Sequence, residues 1–280
     1  MKKLLKIAVV ISAMTVLAAS AFAWNWPWAA KSENKISLTG STTVLPIAQK
    51  AAEEFMKANP SVEVSVKGGG SGVGIAAILD GSADIGNASR AIKTKEVINA
   101  KSKGVNAVGT VVAKDGIALV VHKSNPINAI SLDQLRDIFS GKINKWSQVG
   151  GNNSTIVAIS RDTTSGTYEV FGELVLRGAK LRDDAIMTVS NREVAENVKN
   201  TEGGIGYVGL AFLSDDLKVL KVEGVMATEA NVINGTYKVA RPLFMYTNGE
   251  PEGLTKKFID FVMSADGQQI VKEVGYVPVR

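Results

Sequence analysis

Apolar residues along most of the chain form short extended runs that alternate with stretches of helical spacing. Between positions 62 and 66, apolar and polar residues alternate with the period of two that is typical of a strand. The stretch before it places apolar residues on one face of a helix: Ile47, Ala48, Ala51, Ala52 and Phe55. Because strands and helices keep alternating, the pattern predicts an α/β fold with mainly parallel sheets flanked by helices.

Local signals set the limits of several elements. Pro46 fits the first turn of a helix, and Ser131 and Ser190 each begin a capping box with Gln134 and Glu193. Further helices are expected at Ile75–Asp80 and Tyr168–Leu176, and near the C-terminus, where apolar residues recur at helical spacing from position 254. The apolar runs Val105–Val112 and Gly116–Val121 predict two separate strands.

The first 23 residues have the pattern of a secretory signal. A basic start with Lys2, Lys3 and Lys6 precedes the apolar stretch Ile7–Ala18, and Ala21-Phe22-Ala23 fits a cleavage site. The apolar stretch is shorter than the roughly 20 residues that span a bilayer, so we expect cleavage and a periplasmic protein. A retained membrane anchor is the alternative.

The content of charged residues, cysteine and histidine argues against several classes of function. The chain has 32 Lys and Arg and 27 Asp and Glu, and loss of three lysines with the signal leaves a net charge of about +2. No basic run indicates nucleic-acid binding. The sequence has no Cys, which excludes disulfides and thiol chemistry, and its single histidine, His122, ends an apolar run and gives little support to a Ser-His-Asp hydrolase. We therefore expect neither an enzyme nor a metal or cofactor site.

Gly204-Ile205-Gly206-Tyr207-Val208-Gly209 matches the spacing of a dinucleotide-binding loop. It follows a helical pattern and is itself strand-like, whereas that motif needs a strand before it and a helix after it. We therefore interpret this stretch as a strand.

Three loops share one arrangement, in which a strand leads through small hydroxyl residues into a helix. The clearest is Arg161–Thr167, where Ser165 or Gly166 is expected to be the helix N-cap. The others are Gly40–Pro46 and Gly68–Gly74. Helix N-termini carry unpaired N–H groups and a partial positive charge, so three such loops with one arginine predict a shared anion site.

The same stretches carry a family resemblance. The chain resembles the phosphate-binding proteins of bacterial phosphate ABC transporters, which are class II periplasmic substrate-binding proteins. The matching stretches keep their order over nearly the whole mature chain: residues 39–43, 70–72, 84–90, 133–141, 161–167, 204–209 and 241–244.

The resemblance implies two α/β lobes joined by two crossover strands that act as a hinge, with the anion in the cleft between them. Residues 24–114 and 241–280 would form lobe one, and residues 115–240 would form lobe two. The partners it implies are inorganic phosphate and the permease subunits of an ABC transporter in the inner membrane, with the protein acting as a monomer.

The resemblance also assigns ligand contacts. Thr42 would give its hydroxyl, Thr43 its backbone N–H and Ser71 a donor from the second loop. Arg161 would be the cation. Ser165, Gly166 and Thr167 would donate from the third helix start, and Gly72 would support the second loop.

One position departs from the family. Well-known members have an Asp that accepts the proton of hydrogen phosphate where this chain has Ser89 and Arg90. Ser89 could accept weakly, Arg90 would add charge, and Asp162 could accept the proton or orient Arg161. Two alternatives therefore stay open: a site for another tetrahedral oxyanion such as sulfate, and a surface or adhesion protein on the same fold.

Overall fold

The computed structural model describes residues 34–280, so the predicted signal at 1–23 lies outside the described residues. The strands are β1 Lys35–Gly40, β2 Glu63–Lys67, β3 Ile85–Ala88, β4 Ala107–His122, β5 Ala129–Ile130, β6 Val157–Arg161, β7 Ile186–Thr188, β8 Gly204–Gly209, β9 Leu217–Val222 and β10 Ala240–Asn248. The α-helices are α1 Leu45–Ala58, α2 Ser71–Leu79, α3 Thr94–Ser102, α4 Leu132–Phe139, α5 Gly166–Phe171, α6 Asn191–Lys199, α7 Glu229–Ile233, α8 Gly253–Met263 and α9 Ala265–Glu273. None of the helices within 34–280 is long and apolar enough to cross a membrane.

The ten strands found between residues 34 and 280 form one continuous sheet in the order β2-β1-β3-β10-β4-β8-β6-β7, with β9 and β5 branching from β4. At one end β1 pairs in parallel with β2 and β3, and at the other β6 pairs in parallel with β7 and β8. The centre is antiparallel, because β10 pairs with β3 and β4, and β4 pairs with β8 and β9. The predicted α/β class is confirmed, with parallel pairing on either side of an antiparallel centre.

Strand β4 runs through the whole molecule. The sequence predicted two strands there, separated at Lys114-Asp115, and this was wrong. Asp115 and Gly116 stay in the ladder opposite Arg241 and Ala240, so the polar interruption does not end the strand. β4 pairs with β10 along its first part and with β8 and β9 along its last part.

Buried side chains form two main cores on either side of this crossing. The first core includes Ile36, Leu38 and Ile85 and packs against α1, α8 and α9. The second core includes residues of β4, β6 and β8 with α4 and α5. Two cores on either side of β4 are what two lobes joined by β4 and β10 would have. The residue limits of the lobes stay a prediction.

The helix starts mostly follow the local signals. Ser131 and Gln134 make both bonds of their capping box, as predicted. Ser190 accepts from the backbone N–H of Glu193, but the Glu193 carboxylate accepts from Val189. The other differences are at α2, which begins at Ser71 instead of position 75, and at α5, which continues as a π-helical turn over Gly172–Leu176.

Candidate functional site

The three predicted loops converge where the first core faces the second. The hydroxyl oxygens of Thr43, before α1, and Thr167, in α5, are 3.1 Å apart. The N–H of Gly72 in α2 donates to the carbonyl of Thr164 at 2.9 Å. Thr43 and Thr167 are almost completely buried, with 1% and 0% exposure. The structure therefore brings together loops that are more than 90 residues apart in sequence.

Helix α5 begins directly against the second loop. Ser165 is its N-cap and accepts from the N–H of Tyr168 at 3.3 Å. A Cβ atom on Gly166 would lie 2.3 Å from the hydroxyl oxygen of Ser71 and 2.8 Å from that of Ser89, which is closer than atoms can approach. The absence of a side chain at Gly166 thus allows the two loops to meet.

The hydroxyl groups of Ser71 and Ser89 form a buried pair. Their oxygens are 3.2 Å apart, and the N–H of Ser89 donates to the Ser71 oxygen at 2.9 Å. Both residues belong to the predicted set, and Ser89 fixes the position of the Ser71 hydroxyl.

Arg161, the predicted cation, is 1% exposed. Its Nε donates to the carbonyl of Thr188 at 3.3 Å and its Nη2 to that of Val189 at 2.9 Å. Within residues 34–280 its buried Nη1 has no hydrogen-bond partner. Burial lowers the pKa of Arg161 to about 10, so the guanidinium remains charged at neutral pH.

Asp162 contacts both Arg161 and its own loop. One carboxylate oxygen is 3.7 Å from Nη2 of Arg161, and the other accepts from the N–H of Thr164 at 2.8 Å and from its hydroxyl. The same Thr164 hydroxyl lies 3.1 Å from the carbonyl of Gly69. Of the two roles considered for Asp162, the geometry favours orienting the loop and Arg161.

Arg90 lies in a separate group of charged side chains, which we call the ion-pair cluster: Arg90, Lys93, Glu96 and Glu169. Its two terminal nitrogens each lie 2.8 Å from an oxygen of Glu96, and its Nε is 2.5 Å from Glu169 in α5. Burial alone would lower the pKa of Arg90, but the two glutamates raise it. Contact between Arg90 and an anion therefore stays a prediction, while its observed partners are carboxylates.

The sequence did not identify Asn191 as part of the site. Its side-chain amide is fully buried and donates to the hydroxyls of Thr43 at 3.0 Å and Thr42 at 3.3 Å, while its oxygen accepts from the N–H of Gly209. In the sequence it only follows Ser190 in the predicted capping box. The partners of Asn191 are 148 and 149 residues away, so no local pattern identified them.

Arg241 was also missed as a site residue. Its Nη2 is 3.3 Å from the Thr43 hydroxyl and 3.0 Å from Asp115, and its buried Nη1 has no hydrogen-bond partner among the described residues. Burial raises the pKa of the Asp115 carboxyl, and the charge of Arg241 opposes that rise. A signal was available, because Arg241 lies in a stretch that carried the family resemblance and Asp115 interrupts an apolar run.

Tyr207 contacts the backbone of Arg161 and fixes its position. Its hydroxyl is 2.7 Å from that of Ser160 and accepts from the N–H of Arg161 at 3.3 Å, and its ring stacks on Phe171. Burial raises its pKa to about 12, so the phenol is neutral. Tyr207 belongs to the glycine-containing stretch set aside above, which is strand β8 as predicted.

Taken together, Thr43, Ser71, Arg161, Thr167 and Arg241 are buried hydroxyl and guanidinium residues of one cluster, with the half-buried Thr42 beside them. Within residues 34–280 no group of three or more His, Cys, Asp or Glu side chains is arranged to hold a metal ion. Hydroxyls, helix N-termini and guanidinium groups can together bind a small oxyanion.

The proteins that this chain resembles in sequence include proteins named for binding phosphate, which is a small oxyanion. A family model of the PBP superfamily domain matches residues 28–266. The chain is 36% identical to the phosphate-binding protein PstS of Bacillus subtilis over 251 residues, covering 89% of this chain and 82% of that protein. It is 33% identical to PstS of Borreliella burgdorferi, covering 89% and 91%.

Solved structures give the same result. A Clostridium perfringens crystal structure, described as a candidate phosphate ABC transporter substrate-binding protein with bound phosphate, superposes with a TM-score of 0.82 at 37% identity and covers 88% of this chain and 100% of that one. An ABC-type phosphate transport receptor from Vibrio cholerae superposes with a TM-score of 0.72 at 29% identity, covering 86% and 99%. The chain therefore belongs to the PBP superfamily and, within it, to the family of PstS phosphate-binding proteins.

Proposed function

We propose that this protein captures inorganic phosphate in a cleft between two lobes and delivers it to an ABC importer. The observation that carries the proposal is Nη1 of Arg161, which is buried beside the converging hydroxyl loops and has no hydrogen-bond partner in the stretch 34–280. A buried charged donor without an acceptor is costly, because its lost hydration is not replaced. A bound anion would supply the missing acceptor.

The proposed ligand set is Thr42, Thr43, Ser71, Arg161, Ser165, Gly166 and Thr167, with Asp162, Gly72 and Ser89 as support. Charge-assisted hydrogen bonds contribute roughly 1.5–3 kcal/mol each. Micromolar affinity requires about 8 kcal/mol, so six such bonds leave a surplus to offset dehydration of the anion and closure of the lobes. No chemical step is required of any residue, which fits a binding protein.

The proposed lobes are residues 24–114 with 241–280, of which the structure describes 34–114 and 241–280, and residues 115–240. Phosphate would contact both lobes and stabilise the closed arrangement, which would then bind the permease subunits of the transporter. We further propose that the protein acts as a monomer in the periplasm, after removal of the signal predicted at residues 1–23.

Sulfate is the second candidate ligand, because the carboxylates near the cluster already have partners. Asp115 accepts from Arg241 and from the N–H of Leu210, and Asp162 accepts from Thr164. Hydrogen phosphate carries a proton that needs an acceptor, whereas sulfate carries none. The Thr43 hydroxyl already accepts from Asn191 and Arg241, so the proton would have to go to the Thr167 hydroxyl or to the Asp162 oxygen that lies 3.7 Å from Arg161.

Calorimetric titration of the mature protein, stripped of bound anion by unfolding and refolding, tests the proposal. Phosphate is expected to bind with micromolar or tighter affinity, and sulfate much more weakly. Equal affinity for both would make the protein a general oxyanion binder. Absence of heat with either anion, in protein shown to be folded, would contradict an anion site.

A further inference from the structure

We infer that Arg241 is a second cationic contact for the bound anion, and that with Asp115 it connects the anion to the two strands that cross between the cores. This inference rests on the proposed function and adds to it a residue outside the predicted ligand set. If it is correct, the site has two guanidinium groups and holds the doubly charged form of phosphate more tightly than the singly charged form.

The first argument is the state of the two guanidinium groups. Arg161 and Arg241 are 1% and 5% exposed, and in each the buried Nη1 has no hydrogen-bond partner within the part of the chain that the structure describes. Every other guanidinium nitrogen of these two arginines contacts an oxygen of the protein. The two unpartnered nitrogens are therefore free to donate to one ligand.

The second argument is position. Nη2 of Arg241 lies 3.3 Å from the hydroxyl oxygen of Thr43, which is 3.1 Å from that of Thr167 in the opposite loop. Arg241 thus reaches the point where the loops of the two cores meet. The positive charge of Arg241 also contributes to the lowered pKa of Arg161, so each guanidinium lies within the electrostatic reach of the other.

The third argument is charge balance. Asp115 is fully buried and neutralises one of the two guanidinium groups, with its oxygen 3.0 Å from Nη2 of Arg241. Asp162 is 3.7 Å from Arg161 and partly exposed, so it compensates Arg161 less completely. Positive charge therefore exceeds negative charge among the most deeply buried groups. A dianion placed between two guanidinium groups is stabilised more than a monoanion, because Coulomb energy increases with charge in a poorly solvated site.

Arg241 and Asp115 also lie on the two strands that join the proposed lobes. Arg241 and Asp115 are directly opposite each other on β10 and β4, the strands that run from one core toward the other. An anion that contacts Arg241 would therefore contact the crossing strands as well as the loops. Movement of the lobes about these strands would change that contact.

The test measures whether Arg241 contributes to phosphate affinity in a folded protein. Arg241→Gln alone would leave Asp115 buried without a counter-charge, so the informative change is the double variant Arg241→Gln with Asp115→Asn, which removes both charges and keeps side chains of polar character. Loss of one charge-assisted contact is expected to weaken phosphate binding about 10- to 100-fold in calorimetric titration. The thermal midpoint of the ligand-free double variant reports whether it is folded.

A second variant covers the case in which the double variant does not fold. Arg241→Lys keeps the charge next to Asp115 but loses the forked donor, and about 10-fold weaker phosphate binding is expected. The matched control is Arg177→Gln, which removes one positive charge from an exposed position and should leave the affinity unchanged.

The outcomes distinguish the two proposals. Wild-type phosphate affinity in either folded Arg241 variant would overturn the second contact and leave the proposed function intact. Absence of phosphate binding in the wild-type protein would overturn the proposed function itself. Weakened binding in the Arg241 variants with normal binding in the Arg177 control would support the inference.

Discussion

Gly166 lies at the tightest contact of the candidate site. A Cβ atom there would be 2.3 Å from the hydroxyl oxygen of Ser71 and 2.9 Å from its Cβ, so rotation of the serine side chain cannot remove the whole clash. We expect Gly166→Ala to hold the two loops apart, at a cost of about 1–3 kcal/mol in phosphate binding. That corresponds to roughly 5- to 150-fold weaker affinity by calorimetric titration.

Gly172→Ala is the matched control for this change. Gly172 has helical backbone angles, and nothing lies within 4 Å of a Cβ atom at that position. Alanine should therefore leave phosphate affinity unchanged and stabilise the helical segment slightly. Equal affinity in both variants would show that close approach at Gly166 is not required for binding.

At the residue scale, the sequence predicted the donors that belong to recognisable loops and missed those that depend on long-range contacts. Ser71, Ser165 and Thr167 lie at helix starts, which leave a local pattern of hydroxyl residues and glycine. Arg241 reaches Thr43 across 198 residues of sequence. A contact of this kind leaves no periodicity in the sequence, because it arises only when the chain has folded and β10 lies near the loop before α1.

At the scale of elements, the contact between α5 and the start of α3 joins the two sides of the cleft. Glu169 of α5 lies 2.5 Å from Nε of Arg90 and 2.7 Å from Nζ of Lys93, which is the N-cap of α3. Arg90 is 5% exposed and Glu169 is 12% exposed, so solvent screens their attraction only partly. These ion pairs are expected to favour the closed arrangement.

Glu169→Gln tests the contribution of these ion pairs. The amide keeps the shape of the side chain but loses its charge, so the closed arrangement should be less stable and phosphate should dissociate faster. Since exposed ion pairs contribute up to about 1 kcal/mol and this one is largely buried, we expect an affinity loss of about 5- to 10-fold, mainly in the dissociation rate measured by stopped-flow mixing.

The control for that variant is Glu173→Gln, which makes the same chemical change at an exposed position one turn further along the chain. Its dissociation rate should match that of the wild type. If Glu169→Gln also released phosphate at the wild-type rate, the ion-pair cluster would have no part in closure.

The elements themselves were largely predictable from hydrophobic periodicity, and the exceptions have physical causes. The single strand β4 was predicted as two because the polar residues Lys114 and Asp115 interrupt the apolar run, but Arg241 neutralises Asp115 inside the sheet. The π-helical turn after α5 was not predicted, because its apolar residues, including Val175 and Leu176, have the same spacing pattern as an ordinary helix. In both cases a tertiary contact or a change of helix geometry had no distinct signature in the sequence.

At the scale of the whole molecule, the structure has the two sides of the cleft in contact. Hydrogen bonds join Thr43 to Thr167, Gly72 to Thr164 and Asn191 to Thr43, and each of these bonds links a residue of proposed lobe one to a residue of proposed lobe two. A ligand placed among these groups would add further bonds to both sides. Binding of phosphate should therefore stabilise the whole folded chain and not a single loop.

This coupling predicts a large thermal shift. A ligand that binds only the folded state at a free concentration 100 times its Kd adds about 2.7 kcal/mol to the free energy of unfolding. For a chain of this length each kcal/mol raises Tm by roughly 2–4 °C, so phosphate should raise Tm by about 5–11 °C, as measured by scanning calorimetry of the stripped protein.

Sulfate at the same concentration should give a much smaller shift, and Arg161→Gln should abolish the phosphate shift. A phosphate shift that persists in Arg161→Gln would place the anion elsewhere on the molecule, because the proposed site depends on Nη1 of Arg161, which lacks a hydrogen-bond partner in the part of the chain that the structure describes.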